Sequence, residues 1–119
     1  MVDKVTKKIE SLSLREIEVL GRIAQGLSNQ EICETLCVTR ATLVTHINNI
    51  GTKLGMWQGK DNPNSVRRVQ MTLFYLDNKR QILSNYNRMK RADKLRQELK
   101  ELQYISKLAK QRGEHNERI

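Results

Sequence analysis

The chain has few aromatic residues, one proline and two cysteines, and these shortages limit the fold classes that the sequence allows. Aromatic residues make up 4% of the 119 residues and hydrophobic residues 38%. This is little apolar material for a single compact core of that length, so we expect a small domain followed by an extension. Helix-forming residues dominate, and no segment alternates in the manner of a strand. The sequence therefore predicts an all-α protein.

Long apolar segments are also missing. No run approaches the roughly 20 apolar residues that a membrane-spanning helix needs. The N-terminus, MVDKVTKKIES, is polar and charged, unlike a signal peptide. We therefore expect a cytoplasmic protein with no membrane partner.

The side chains of catalytic and metal sites do not form recognisable groups in the sequence. There is no paired-carboxylate pattern, no phosphate-binding loop, and no cysteine or serine with an evident base. Cys33 and Cys37 are too few and too close for a disulfide framework, and their spacing within a helix is poor for zinc. We expect two structural thiols, no cofactor, no metal and no enzymatic activity.

Positive charge is abundant but unevenly distributed. The formal net charge is +9 and the isoelectric point is about 9.9, the balance typical of a nucleic-acid partner. Residues 1–55 carry seven Lys/Arg and six Asp/Glu, whereas residues 56–119 carry fifteen and seven. A basic C-terminal half could hold phosphates, an acidic partner or anionic lipid.

Residues 28–54 show the pattern of two short helices joined by a tight corner. Ser28 and Glu31 form a capping box that starts the first helix, and Thr39 starts the second. One face of the second helix is an apolar stripe, made of Leu43, Ile47, Ile50 and Leu54. The opposite face holds small or neutral polar residues, and no acid occurs from 35 to 60. Such a face can approach a polyanion and its base edges; the alternative is a helix packed on another protein.

These segments resemble the LuxR/GerE-type helix-turn-helix from about Leu12 to Met56. The resemblance rests on residues matching in order without a gap: Leu14-Arg15-Glu16, Glu18-Val19-Leu20, Ile23-Ala24-Gln25-Gly26-Leu27-Ser28-Asn29, Glu31-Ile32, Leu36, Thr42, His46, Ile50 and Lys53-Leu54-Gly55. It implies a four-helix DNA-binding unit whose third helix reads the major groove and whose fourth helix usually forms a dimer. The unit would begin at a capping box of Ser13 and Glu16, which opens a helix over residues 14–25 that Gly26 ends.

The resemblance also implies which residues meet DNA. Base edges would be contacted by Val44, Thr45 and Asn48, which suit A·T-containing half-sites. The sugar-phosphate backbone would be contacted by Ser28, Asn29, Gln30, Arg40, Thr42, His46 and Lys53. A role for His46 in packing the two helices together is an equal alternative. Gln30 and Val44 stand where the family commonly has Lys, so two positive charges are missing.

The segment after Pro63 departs from the family pattern. Helical residues run from Asn64 to about Lys110. A first apolar stripe should form the dimer and pack on the DNA-binding domain, and consists of Val66, Val69, Leu73 and Leu76. A second stripe resembles a short coiled coil, and consists of Ala92, Leu95, Leu99, Leu102 and Ala109. The two are out of phase, which predicts a helix break or a rotating contact face within residues 82–90.

The basic residues between the two stripes allow two interpretations. Either they form an accessory phosphate clamp, or they are a solvated charged face of the helix. The residues concerned are Arg88, Lys90, Arg91 and Lys94. The predicted organisation is a lead-in tail or short helix (1–11), a helix-turn-helix domain with a dimerising helix (12–80), a basic helical extension (81–112) and a loose tail (113–119). The loop over residues 55–62 includes Trp57, which would plug the base of the domain or mark a partner surface.

These patterns together predict a sequence-specific transcription regulator. It would bind double-stranded DNA as a homodimer on a pseudo-palindromic site. The 119 residues leave no room for a receiver or ligand-sensing domain, so we expect control through expression level or a protein partner on the C-terminal helix. The alternatives are an architectural, DNA-packaging or conjugation assembly protein, and an RNA-polymerase adaptor resembling sigma region 4.

Overall fold

The computed structural model describes residues 3–56 and 64–116, and within these ranges all regular secondary structure is helical, as predicted. The helices are α1 (Lys4–Glu10), α2 (Leu14–Ala24), α3 (Asn29–Leu36), α4 (Arg40–Leu54), α5 (Asn64–Asp77) and α6 (Lys79–Asn116). None of the described helices is both long and apolar enough to cross a membrane.

The N-terminal segment is a helix rather than a frayed tail. Asp3 caps α1 by accepting the backbone N–H of Thr6 at 2.7 Å. Ile9 and Leu12 are each 1% exposed, and α1 packs on α4. The burial of these two apolar side chains explains why so short a helix is ordered.

Capping boxes start α2 and α3, as predicted. Ser13 accepts the backbone N–H of Glu16, and the Glu16 carboxylate accepts that of Ser13. Ser28 and Glu31 repeat the arrangement at α3. Gly26 ends α2 with φ at +84°, a conformation that glycine adopts without a Cβ penalty.

The core forms where α2 meets α4 and α5, with α3 packed against α4 and α2. Side chains from every one of these helices are fully buried: Val19, Leu20, Ile32, Leu43, Ile50 and Met71. Each buried aliphatic side chain of this size contributes roughly 1.5–3 kcal/mol of hydrophobic stabilisation. Burial of the apolar stripe therefore fixes the orientation of α4, with one side in the core and the opposite side in solvent.

The packed face of α5 differs from the predicted one. Val66, Val69, Leu73 and Leu76 are 40–57% exposed, so they do not pack on the domain. Met71 is fully buried instead, and Tyr75 lies against Gly21 of α2. The packed stripe contains polar residues, and for that reason apolar periodicity selected the other side of the helix.

The helix break lies at Asn78, before the predicted window of residues 82–90, through which α6 is continuous. The Asn78 side-chain amide donates to the Phe74 carbonyl at 3.0 Å, and its backbone N–H donates to the same oxygen at 3.1 Å. Asparagine side chains compete for backbone groups in this way and weaken helices locally. Ile82, one turn later, is fully buried.

Contacts divide the chain into two compact units, one up to Tyr86 and one from Asn87. In the second unit, Leu95, Leu99 and Leu102 of α6 are 56–61% exposed. The helix continues through Gly113 to Asn116, beyond the start of the predicted loose tail. Trp57, most of the predicted loop and residues 117–119 lie outside the described residues.

Candidate nucleic-acid interface

The exposed face of α4 carries the three residues predicted to contact bases. Val44 is 43% exposed, and Thr45 and Asn48 are also exposed. The Thr45 hydroxyl donates to the Ala41 carbonyl of its own helix at 3.0 Å, and its oxygen can still accept a hydrogen bond. The structure therefore groups these three side chains on one surface, opposite the buried stripe.

The connection between α3 and α4 sets the position of this face. Thr39 caps α4 by accepting the backbone N–H of Thr42 at 3.1 Å. Cys37 has φ at 55° and ψ at 47°, the left-handed conformation, and the Val38 N–H returns to the Cys33 carbonyl at 3.1 Å. The tight corner predicted from the sequence is therefore present, and neither cysteine forms a disulfide.

The residues predicted to contact phosphate near the starts of α3 and α4 already make local contacts. Ser28 caps α3, the Gln30 amide donates to Glu34 at 3.2 Å, and the Thr42 hydroxyl accepts that of Thr39 at 2.9 Å. Arg40 is exposed at the first turn of α4, whereas His46 is half-buried. Their contacts with DNA stay predictions.

The Glu31 carboxylate places a negative charge at the start of α3. Its hydrogen bonds from the backbone N–H and then the hydroxyl of Ser28 lower its pKa below the ordinary value. The carboxylate is therefore ionised at neutral pH, and it opposes the approach of a phosphate to this end of the helix.

Lys53 is held by an ion pair within the domain. Its Nζ lies 2.7 Å from Oε1 of Glu16, which is 4% exposed. Burial raises the pKa of Glu16, but the hydrogen bond from Lys53 and that from the Ser13 backbone together lower it below its ordinary value. The pair joins the first turn of α2 to the last turn of α4, so a phosphate would have to compete with Glu16 for Lys53.

Two arginines of α5 lie beside the exposed face of α4, and sequence reasoning missed them. Arg68 donates to the side-chain oxygen of Asn29 at 2.8 Å and to the backbone carbonyl of Leu27. A groove of about 240 Å³ separates α5 from α4, and its lining includes Asn29, Val44, Ile47, Asn48, Arg67 and Arg68. The adjacent Arg-Arg pair was the available signal, but its position depends on contacts some 40 residues apart in sequence.

The residues predicted for the extension are solvent-exposed on α6. Arg88, Lys90, Arg91 and Lys94 all lie in the second unit. Arg91 Nε donates to the Asn87 carbonyl at 3.4 Å. Neither the phosphate clamp nor the dimer stripe of α5 is tested by this arrangement, and both stay predictions.

Metal-binding side chains are scattered rather than grouped in the parts of the chain that the structure describes. Across residues 3–56 and 64–116, no three His, Cys, Asp or Glu side chains lie close enough to hold a metal ion.

Comparison with known proteins identifies the family of residues 10–60. Residues 10–60 match the family described as bacterial regulatory proteins, luxR family. The transcriptional regulatory protein MctR of Rhizobium johnstonii is 45% identical over 56 residues, which is 47% of this chain and 26% of MctR. LnrK and LiaR of Bacillus subtilis, both transcriptional regulatory proteins, are 42% identical over 57 residues and 53% over 45. The matches cover 46% and 38% of this chain, and 26% and 21% of LnrK and LiaR, respectively.

The chain thus spans about a quarter of the length of the curated relatives it matches. No solved structure matches it significantly. The matched segment contains the two capping boxes, the corner at Cys37 and the exposed face of α4. Residues 10–60 are a LuxR-family helix-turn-helix domain.

Proposed function

We propose that this protein binds double-stranded DNA sequence-specifically and regulates transcription, with α4 as the recognition helix. The observation that carries the proposal is the exposed face of α4, where Val44, Thr45 and Asn48 project from a helix whose other side is buried. The relatives MctR, LnrK and LiaR are transcriptional regulatory proteins, which supports the same activity. Because the proposed target is DNA, we infer that the protein acts in the cytoplasm.

The side chains on this face favour A·T base pairs. An asparagine amide can pair with both N6 and N7 of adenine, and the methyl groups of Val44 and Thr45 suit the thymine methyl. The sequence has no Asp or Glu between residues 35 and 60, so no carboxylate within the recognition helix would oppose the phosphates. We infer half-sites that contain A·T pairs.

We propose that the protein acts as a homodimer on a pseudo-palindrome. The exposed stripe of Val66, Val69, Leu73 and Leu76 on α5 is a candidate for the contact between protomers. Two recognition helices related by a two-fold axis would read half-sites about 10 base pairs apart, or another whole number of turns. The exposed leucines of α6 are a second surface, available to a protein partner.

Asn48→Ala tests base reading. Loss of a bidentate adenine contact costs roughly 1–3 kcal/mol, so binding to a duplex selected by the wild-type protein should weaken roughly 5- to 150-fold. Binding to a random-sequence duplex of equal length should change less than about twofold, because phosphate contacts persist. Fluorescence anisotropy with labelled duplexes measures both affinities.

Asn87→Ala is the matched control, since Asn87 is an exposed asparagine on α6. It should leave both affinities unchanged. Equal losses on the two duplexes for Asn48→Ala, with the helical circular dichroism spectrum retained, would contradict base reading by this residue.

A further inference from the structure

The groove between α4 and α5 places two guanidinium groups beside the candidate base-contacting residues. Arg67 and Arg68 come from α5, whereas Val44 and Asn48 come from the exposed face of α4. All four side chains line the same groove. A helix outside the helix-turn-helix pair therefore contributes positive charge to the candidate DNA-binding surface.

Arg68 is held in a defined position. Its two terminal nitrogens donate to different acceptors, the side-chain oxygen of Asn29 and the backbone carbonyl of Leu27. A guanidinium has five N–H donors, so this arrangement leaves donors for another acceptor. Because its geometry is already fixed, Arg68 would lose little side-chain entropy on binding a phosphate.

The rest of the helix-turn-helix is poor in positive charge. Between residues 28 and 54, Arg40 and Lys53 are the only Lys or Arg in the sequence, and Lys53 is paired with Glu16. Two carboxylates, Glu31 and Glu34, lie on α3. DNA binding depends on phosphate contacts for much of its affinity, so cations from outside this segment are required.

We propose that Arg67 and Arg68 form a phosphate-binding site on α5 that contacts the DNA backbone next to the base contacts of α4. The site rests on the proposed function, because it takes a phosphate of the duplex that α4 reads. It gives α5 two roles on different faces: the arginines contact DNA, and the exposed apolar stripe is available to a second protomer. The separation of the two DNA-contacting surfaces in a dimer would then be set by the same helix.

The salt dependence of binding tests this site. Log affinity falls as log salt concentration rises, and each phosphate contact increases the magnitude of this negative slope by about 0.9. Arg67→Gln and Arg68→Gln should each lower the magnitude of this slope by about 0.9, and the double variant by about 1.8. The loss should appear on a selected duplex and on a random-sequence duplex alike, because phosphates carry no sequence information.

Arg80→Gln is the matched control, because Arg80 is exposed on α6 and its loss changes the net charge equally. It should leave the slope unchanged, and Arg67→Lys should retain most of the wild-type slope. Arg68 also links α5 to the start of α3, so its replacement can lower the stability of the domain. The thermal unfolding of each variant is therefore measured first, and binding is measured at a temperature at which every variant is folded.

The outcomes separate this site from the proposed function. Wild-type binding with unchanged slopes in both Arg67→Gln and Arg68→Gln would overturn the phosphate site alone, and Arg68 would then be a purely structural link. Failure of the wild-type protein to bind either duplex would overturn the proposed function and this site with it.

Discussion

Glu16 links two helices through one buried carboxylate. Its Oε1 accepts the Ser13 backbone N–H at 2.9 Å and lies 2.7 Å from Lys53 Nζ. A carboxylate with 4% exposure would be costly to bury without these two donors. The pair therefore holds the last turn of α4, and with it the exposed face, against the start of α2.

Glu16→Gln should destabilise the domain at neutral pH but not in acid. Glutamine keeps the capping geometry and removes the charge, so the free energy of unfolding at pH 7 should fall by about 1–2 kcal/mol. The folded-state pKa of Glu16 is lowered from 4.5, so the stabilisation is present above that value and is lost as pH falls through the lower folded pKa. Urea denaturation followed by circular dichroism should show the difference at pH 7, and the difference should shrink as the pH is lowered below 4.5.

Glu10→Gln provides the comparison for this experiment, since Glu10 is exposed at the end of α1. Its effect at pH 7 should stay below about 0.5 kcal/mol. A difference between wild type and Glu16→Gln that persists unchanged in acid would rule out the ion pair as its cause.

The sequence predicted the local chemistry of individual residues better than their long-range partners. The capping boxes and the tight corner between α3 and α4 depend on neighbours within a few positions. The structure adds that Cys37 turns this corner in the left-handed conformation, which costs about 1–2 kcal/mol for a residue with a Cβ. The pairing of Lys53 with Glu16 joins residues 37 positions apart, and no local pattern encodes it. The family resemblance that assigns Lys53 to a phosphate takes no account of this pairing, and the phosphate contact stays a prediction.

Among the helices, α5 shows most clearly where apolar periodicity fails. Its two candidate stripes are offset by two residues, which places them on nearly opposite sides of the helix. The more apolar stripe, with Val69 and Leu73, is exposed, whereas the stripe with Arg68 and Met71 faces the domain. Apolar periodicity counts only apolar side chains, so it does not detect a polar residue that faces the domain and bonds to a partner there.

Leu73→Glu tests whether the exposed stripe of α5 forms the dimer. A buried, unpaired carboxylate at a protomer interface is strongly unfavourable, so the variant should be a monomer at concentrations where the wild type is a dimer. Because Leu73 is 55% exposed in the single chain, the fold should be retained. Sedimentation equilibrium measures the mass.

Leu99→Glu distinguishes the two apolar surfaces. Leu99 lies on α6, where about two heptads are too short to form a stable coiled coil alone, so this variant should remain a dimer. A dimeric Leu73→Glu together with a monomeric Leu99→Glu would assign the contact to α6 instead.

Across the whole chain, the family match and most of the positive charge lie in different segments. Residues 10–60 carry the LuxR-family match, whereas most of the positive charge lies after residue 55. The fold class and the helices of the matched part could be predicted because their periodicity, caps and corner agree with one another. The position of the break at Asn78 was not predicted, because the apolar periodicity carries no information on the side-chain hydrogen bond from Asn78 to the Phe74 carbonyl.

Selection of bound sequences from a random duplex library tests sequence-specific recognition by α4. The selection is made at about 150 mM salt, where non-specific phosphate binding is already weakened. We expect enrichment of an A·T-containing pseudo-palindrome with half-sites about 10 base pairs apart, or another whole number of helical turns. A single unrepeated half-site would contradict the dimer. Binding without any enrichment would contradict sequence-specific recognition by α4 and favour an architectural protein held by its basic extension.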